Sequence, residues 1–477
     1  MTSRLILAFL LMGSAANAAD LGSVSFPTST TNADAQAAFE RGVAALHSFW
    51  YEEAATAFRR AQQLDPTFAM AFWGEAMTFN HPIWYEQDRD AARAVLVKAP
   101  KSGSERERDW IATLNVLYGD GEKPARDAAY EKAMASLAAR DINAVEAEAF
   151  HALAILGTMD HGPGDARKQI RAAAILEPLM ATHPSHPGVL HYLIHAYDDP
   201  LHAPLGLRAA TRYARVAPAA HHALHMPSHI FLQLGMWNEA AASNEQSWSA
   251  SVAWVAREKL PSSKRDLHSL AWLQYIYLQQ GRRDDAKRLL DLVSNTSDRE
   301  RATRARMIAR WAIETGEIVD AGDGGGDEGA HCATPMTSSG EVVQFTRALN
   351  AIKRGNDPSD AIAAVAAAAV KEKRPNEKHT METMTLVLRA LDAQHRGDLT
   401  KALDFAKRAA DVEETLGPPS GPPDVMKPAH ELYGELLLAA GKPRDALAQF
   451  ASSLQRMPNR ALSLAGEANA RATIARQ

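Results

Sequence analysis

The 477-residue chain has a single cysteine, Cys332, so no disulfide can form within it. Beyond its first residues it has no apolar run near the ~18 uncharged residues that a membrane-spanning helix needs. Aromatic residues are sparse at 7%, while Ala-rich and Leu-rich blocks are frequent, which favours helices over sheets. An excess of one charge is missing as well. The 52 basic and 57 acidic residues are interspersed and leave a net charge of −5, so there is no basic footprint for nucleic acid. Phosphate-binding loops, dinucleotide fingerprints and GxSxG elbows are absent, and Ser228 has no ordered acid partner to make it a nucleophile.

What is present is an ordinary globular composition, 46% hydrophobic and 23% charged, at a length that suits several domains or a solenoid. The first 18 residues read as a signal peptide. Arg4 supplies a basic start, Leu5 to Met12 an apolar stretch too short to span a membrane, and Ala16-Asn17-Ala18 a cleavage motif. Cleavage after Ala18 predicts a periplasmic or secreted protein.

The most unusual feature is histidine. Residues 183–229 hold nine of the 18 histidines, including two HxxxH pairs, His191/His195 and His225/His229, offset by 34 residues. The same 34-residue period governs the ends of the chain. In a frame starting at Ala35, small residues Gly42, Ala54 and Ala61 stand at positions 8, 20 and 27. Phe58 takes position 24 and Pro66 position 32. A frame from Lys427 places Gly434, Ala446, Phe450, Ser453 and Pro458 in the same roles, and looser copies lie between. Small residues let two helices approach closely, the aromatic fills the gap between repeats, and the proline ends the second helix.

These residues resemble those of the tetratricopeptide repeat (TPR) family. The resemblance covers most of the chain and implies an all-α fold: a TPR-like α-solenoid, a right-handed superhelix of antiparallel helix hairpins. The expected organisation is a central array over 33–318, a Gly/Asp-rich loop at 319–341 and further hairpins at 342–415. A proline-rich connector at 416–428 and a final repeat at 429–477 complete it. The Gly/Asp-rich loop lacks the ligand spacing of a calcium loop and reads as a linker carrying His331 and Cys332.

In TPR proteins, positions 2, 5, 9, 12 and 13 of each first helix face the concave groove. Applied to these frames, the family rule puts His191, His195, Asp198 and Asp199 in the groove. It adds His222, His225 and His229 from the next repeat, with His151 and His268 flanking them. Trp73, Met77, Asn80 and His81 take the same positions further up the chain. His183, His186 and His202 fall in connections.

Histidines four apart on a helix share a face, with Cβ atoms about 5–6 Å apart, and packed helices lie about 8–10 Å apart. His191, His195, His225 and His229 are therefore candidate ligands for one shared transition metal, zinc or copper, with a carboxylate such as Asp198 completing the sphere. Pro227 complicates the second pair. It is best placed as a first helical residue, with His225 in the entering loop.

The resemblance implies an exported scaffold that binds a peptide, protein or small ligand through this groove. The alternative is a metal-binding or metal-dependent hydrolytic protein. Inter-repeat hydrogen bonding is the third role open to these histidines. Nothing in the sequence commits the chain to a reaction.

Overall fold

The computed structural model describes residues 18–141, 144–159, 165–321 and 339–477. The signal peptide up to Asn17, and His331 with Cys332, lie outside the described residues.

The described chain is a TPR-like solenoid of antiparallel helix hairpins. The first hairpin pairs Ala33–His47 with Tyr51–Leu64, and the last pairs Ala429–Ala439 with Pro443–Arg456. Their spacing follows from the glycines and aromatics of the repeat. A Cβ on Gly42 or on Gly74 of the following helix would meet the Phe58 ring at 2.6 or 2.2 Å. Gly434 and Gly466 hold Phe450 in the same way, at 2.9 and 2.3 Å. One aromatic thus seats between two glycine-bearing helices at each end of the array, which fixes the helix separation by close packing.

Helix ends follow local chemistry. Ser104 and Glu107 form a reciprocal capping box that starts Glu105–Leu117, as do Ser297 and Glu300 for Asp298–Thr315. The partner of Ala69–Met77 is interrupted at His81-Pro82. There a short antiparallel pairing of Asn80–His81 with Glu86–Gln87 brackets a 3₁₀ turn, before the chain resumes helix at Arg89–Lys98.

The array also contacts itself across long sequence distances. The turn after Ala33–His47 reaches the helix Pro187–Ala196, where the His191 ring donates from Nδ1 to the His47 carbonyl at 2.7 Å. At the other end, Arg460 binds Tyr275 and Glu314, and the Ala461 amide donates to Gln279. These closures bring the first turn, the histidine-bearing helices and the segment 416–425 around one interior. No described helix is long and apolar enough to cross a membrane.

Candidate functional site: two trihistidine clusters

Three elements in succession carry the histidines. Pro187–Ala196 presents His191 and His195. The paired helices His221–His225 and Pro227–Gln233 present His222, His225 and His229, and Leu267–Gln279 presents His268. Their ring nitrogens gather into two groups, His191/His195/His222 and His225/His229/His268, each with its candidate ligand atoms within 4.8 Å of one another. Each group takes an HxxxH pair from one repeat and the second residue of the next repeat's first helix.

The four histidines expected to share one ion thus fall into two groups of three, with His222 and His268 as the third members. Within the first, His191 Nε2 lies 3.1 Å from His195 Nε2 and 3.2 Å from His222 Nε2. Within the second, His225 Nε2 lies 3.1 Å from His229 Nε2, and the His225 and His268 ring centres are 4.6 Å apart. The groups adjoin. Ring centres of His195 and His229 are 5.9 Å apart, and those of His222 and His225 6.0 Å.

Pro227 does not spoil the second pair. Met226, which precedes it, keeps helical angles of φ −53° and ψ −36°, and the His229 amide bonds to the Met226 carbonyl as the new helix starts. His225 consequently ends a short helix rather than sitting in a loop, and the i, i+4 geometry survives the junction. The steric preference of a residue before proline is overridden by packing on both sides: Met226 and Pro227 are buried.

The outer nitrogens decide the protonation state. His191 Nδ1 faces the His47 carbonyl, His229 Nδ1 faces Asp198 Oδ2 at 2.6 Å, and His225 Nδ1 faces Asn244 Oδ1 at 2.6 Å. The Asn244 amide is oriented by its own Nδ2, which donates to the Ala240 carbonyl at 2.8 Å. Each outer partner is an acceptor, so each Nδ1 carries the hydrogen and each Nε2 of a neutral ring points a bare lone pair inward. Asp198 thus meets His229 from the outer side and does not join the inward-facing Nε2 atoms.

Burial keeps His191, His222, His225 and His268 neutral. His191 and His225 are both fully enclosed, and desolvation pushes each down to about 3, with neighbouring imidazoles pulling the same way. Desolvation also holds His222 and His268 well below the usual histidine range, and like neighbours reinforce it.

Aromatic rings cover both groups. Phe49 lies 4.3 Å from His191 and 5.7 Å from His222 between ring centres, and it adopts φ +51°, a left-handed conformation that costs a non-glycine residue on the order of 1–3 kcal/mol. Trp272 lies 4.9, 4.4 and 5.2 Å from His225, His229 and His268.

A cavity of about 170 Å³ opens beside both groups. His195 and His222 reach it from the first, His229 and His268 from the second, while the more deeply placed His191 and His225 do not line it. Its far wall is the proline-rich segment 416–425. Arg456 holds this segment through the Leu416 and Gly417 carbonyls, Gln233 through Pro419 and Arg310 through Pro423. Gly421 packs where any Cβ would strike the Trp272 ring at 2.4 Å. The connector of the sequence reading is thus a strap across the histidine face.

Other expected groove residues lie elsewhere. Trp73 is fully enclosed among Phe26, Trp110 and Phe150 and belongs to the core between repeats. Met77 is buried as well. Asn80 accepts from Gln87, and His81 stacks on Tyr51 at 3.9 Å; the cavity wall reaches Ile83 and Trp84 beside them. His151 pairs with Glu131 at 3.4 Å, apart from both clusters. Asp199 is the exception, since it lines the cavity and binds His202 at 2.7 Å. His186, a connection residue as expected, caps Pro187–Ala196 and joins His47 on Glu146 at 2.9 and 2.7 Å.

That His47/Glu146/His186 group has the spacing of a third metal site. Its rings already have partners: His186 Nδ1 accepts from the Val189 amide, His47 Nδ1 meets the Tyr192 hydroxyl at 2.8 Å, and both Nε2 atoms face Glu146. It is a closed hydrogen-bond network that supports the His47 carbonyl behind His191. Neither His47 nor Phe49 carries a local sequence signal for this role, since both act through a turn far along the chain.

No family model matches the chain, and neither does any curated protein. Solved structures similar to it include the APC/C hetero-tetramer Cut9–Hcn1, at 12% identity over 91% of this chain and 76% of that one, with a TM-score of 0.37. Yeast Tom70 is similar at 10% identity over 94% and 90%, with a TM-score of 0.31. The P58(IPK) TPR domain is similar at 13% over 93% and 99%, with a TM-score of 0.21. With overlaps this low, the fold assignment rests on the repeat packing within the chain.

Proposed function

We propose that this chain is an exported metal-binding protein whose solenoid holds two adjacent transition-metal ions, one in each trihistidine cluster. One observation carries the reading. His225 and His229 both donate from Nδ1 to fixed acceptors, so as neutral rings they turn two lone pairs toward each other at 3.1 Å. Such a contact is repulsive for neutral rings and needs a cation. A proton could serve one pair, but only a metal ion serves three nitrogens at once. Three imidazoles suit copper or zinc and leave a coordination position open.

The peptide-groove reading is weaker at this place, because the strap 416–425 occupies the face that a peptide would use. Export rests on the Arg4 to Ala18 pattern, and an amino terminus at Ala19 in the extracytoplasmic fraction is the expected result.

The test is elemental analysis and titration of chelator-stripped mature protein. Wild type should bind two copper or zinc ions per chain. His191→Ala with His195→Ala should leave one, and His225→Ala with His229→Ala should leave one. Folded wild-type protein that binds fewer than two ions would overturn the reading.

A further inference from the structure

We propose that the cavity between the two clusters is a substrate site, where the copper-loaded chain oxidises a small single-ring diphenol with dioxygen. The proposal rests on the two-ion reading and goes beyond it in naming the metal and the reaction.

Shape comes first. One cavity meets both clusters, each through two of its three histidines, so one bound molecule can face both ions. Its volume of about 170 Å³ compares with the ~150 Å³ of a protein cavity that admits benzene. Trp84, Trp272, Ile83 and Met159 give it flat, apolar walls. Thr380 Oγ1 also lies on the wall, buried and without a hydrogen-bond partner, which is a place for one ring hydroxyl.

Charge selects the substrate class. Arg456 is the one lysine or arginine on the walls, while burial raises the Glu413 and Asp424 carboxyls and Asp198 and Asp199 are held by His229 and His202, so the protein offers a phosphate or carboxylate substrate little positive charge. A neutral phenol needs none.

Charge also selects the metal. Neither trihistidine set contains a carboxylate, so the ligands bring no negative charge to two neighbouring ions. Repulsion scales with the product of charges, and two monovalent ions repel one quarter as strongly as two divalent ones. Copper is the imidazole-binding metal with a stable monovalent state. Two such ions exchange two electrons together, which matches the two that a diphenol gives up on becoming a quinone.

The balance is closed by dioxygen as co-reactant. Two diphenols each lose two O–H hydrogens, as two protons and two electrons, and become two quinones. One dioxygen gains four electrons and four protons, its O–O bond breaks, and two waters form.

The experiment uses the full mature chain loaded with copper, an oxygen electrode and 1,2-dihydroxybenzene. Expected is steady consumption of one dioxygen per two quinones, with no peroxide released. His195→Ala and His268→Ala, one from each cluster, should each fall to the background of His191→Ala with His225→Ala, which breaks both clusters, at equal copper. Thr380→Val should raise KM with kcat little changed. Two coppers bound but no dioxygen consumed would overturn this inference and leave the two-ion reading standing. Fewer than two coppers in folded wild type would overturn both. A one-to-one ratio with peroxide, or full activity in either single-cluster variant, would overturn the coupled pair.

Discussion

Two kinds of buried polar cluster stand among the described residues, and they are built on opposite principles. In the C-terminal repeat, Arg460 is fully enclosed and pairs with both carboxylate oxygens of Glu431 at 2.8 and 3.0 Å and with Glu314 at 2.7 Å. Lys427 and Ser463 complete Glu431 at 2.8 and 2.6 Å. Every charge meets its opposite. Burial alone would raise the Glu431 carboxyl, yet Arg460 and Lys427 bring it down to about 2. This lock ties the last repeat to the helices Leu267–Gln279 and Asp298–Thr315 and so closes the array. The histidine clusters instead gather like groups, and the outer acceptors of His191, His225 and His229 turn their Nε2 atoms inward. A cluster that satisfies itself holds a fold together, whereas the proposed function assigns the histidine clusters to a cation.

The comparison can be broken first at the lock. Arg460→Met should destabilise the chain by about 3–5 kcal/mol, because Glu431 and Glu314 would remain buried without their cation. Urea unfolding measures it, and metal stoichiometry should stay at two. A loss under ~1 kcal/mol would remove the structural role given to the lock. The converse applies to the histidines. Metal at a thousand times its Kd should add about 4 kcal/mol to wild type and nothing to His191→Ala with His225→Ala. An unchanged Tm in wild type would make the two clusters alike.

Acid sharpens the contrast further. Glu431 and Glu146 are both brought down to about 2, the second because His186 and His47 overcome the burial that would raise it. Both groups therefore bind protons less readily folded than unfolded, so their contribution is complete above the unfolded value of 4.5. It is lost as pH falls from there through about 2, and is worth roughly 3 kcal/mol each at most. Glu146→Gln and Glu431→Gln should each flatten the pH dependence of unfolding in this window. If neither does, the closed networks contribute less than their geometry implies.

How much of this the sequence reveals depends on how local each cause is. Gly42 with Phe58 and Gly434 with Phe450 lie within one repeat, so the scaffold is legible from spacing alone. The HxxxH pairs are equally local. The third members are not: His222 and His268 are 46 residues apart instead of 34, because the helix Trp237–Arg257 runs 21 residues and a short 3₁₀ turn follows it. The groove rule finds both residues without showing that each completes a pair. Phe49, the His47 carbonyl and the strap 416–425 arrive only through closure of the array, and no local pattern announces closure. Trp73 fails in the other direction. It holds a groove position in the frame, but the aromatic residues Phe26, Trp110 and Phe150 enclose it.

The smallest expected effect is also the most direct probe of the histidine side of the comparison. Asn244 does not line the cavity beside the clusters, and it meets the second cluster through the Oδ1 that accepts from His225 Nδ1. Asn244→Leu should keep the volume near constant while removing that acceptor. His225 is then free to carry its hydrogen on Nε2, where it can donate to the His229 lone pair and satisfy the pair without any cation. Losing an outer partner of this kind typically costs 10–100-fold in metal affinity, about 1.4–2.7 kcal/mol. One of the two ions should weaken by that factor while the other, in His191/His195/His222, binds as before. Titration of the variant with zinc, read beside wild type, resolves the two steps. If both ions bind unchanged, the inward lone pair is not what makes this cluster a metal site, and the distinction from the C-terminal lock loses its physical basis.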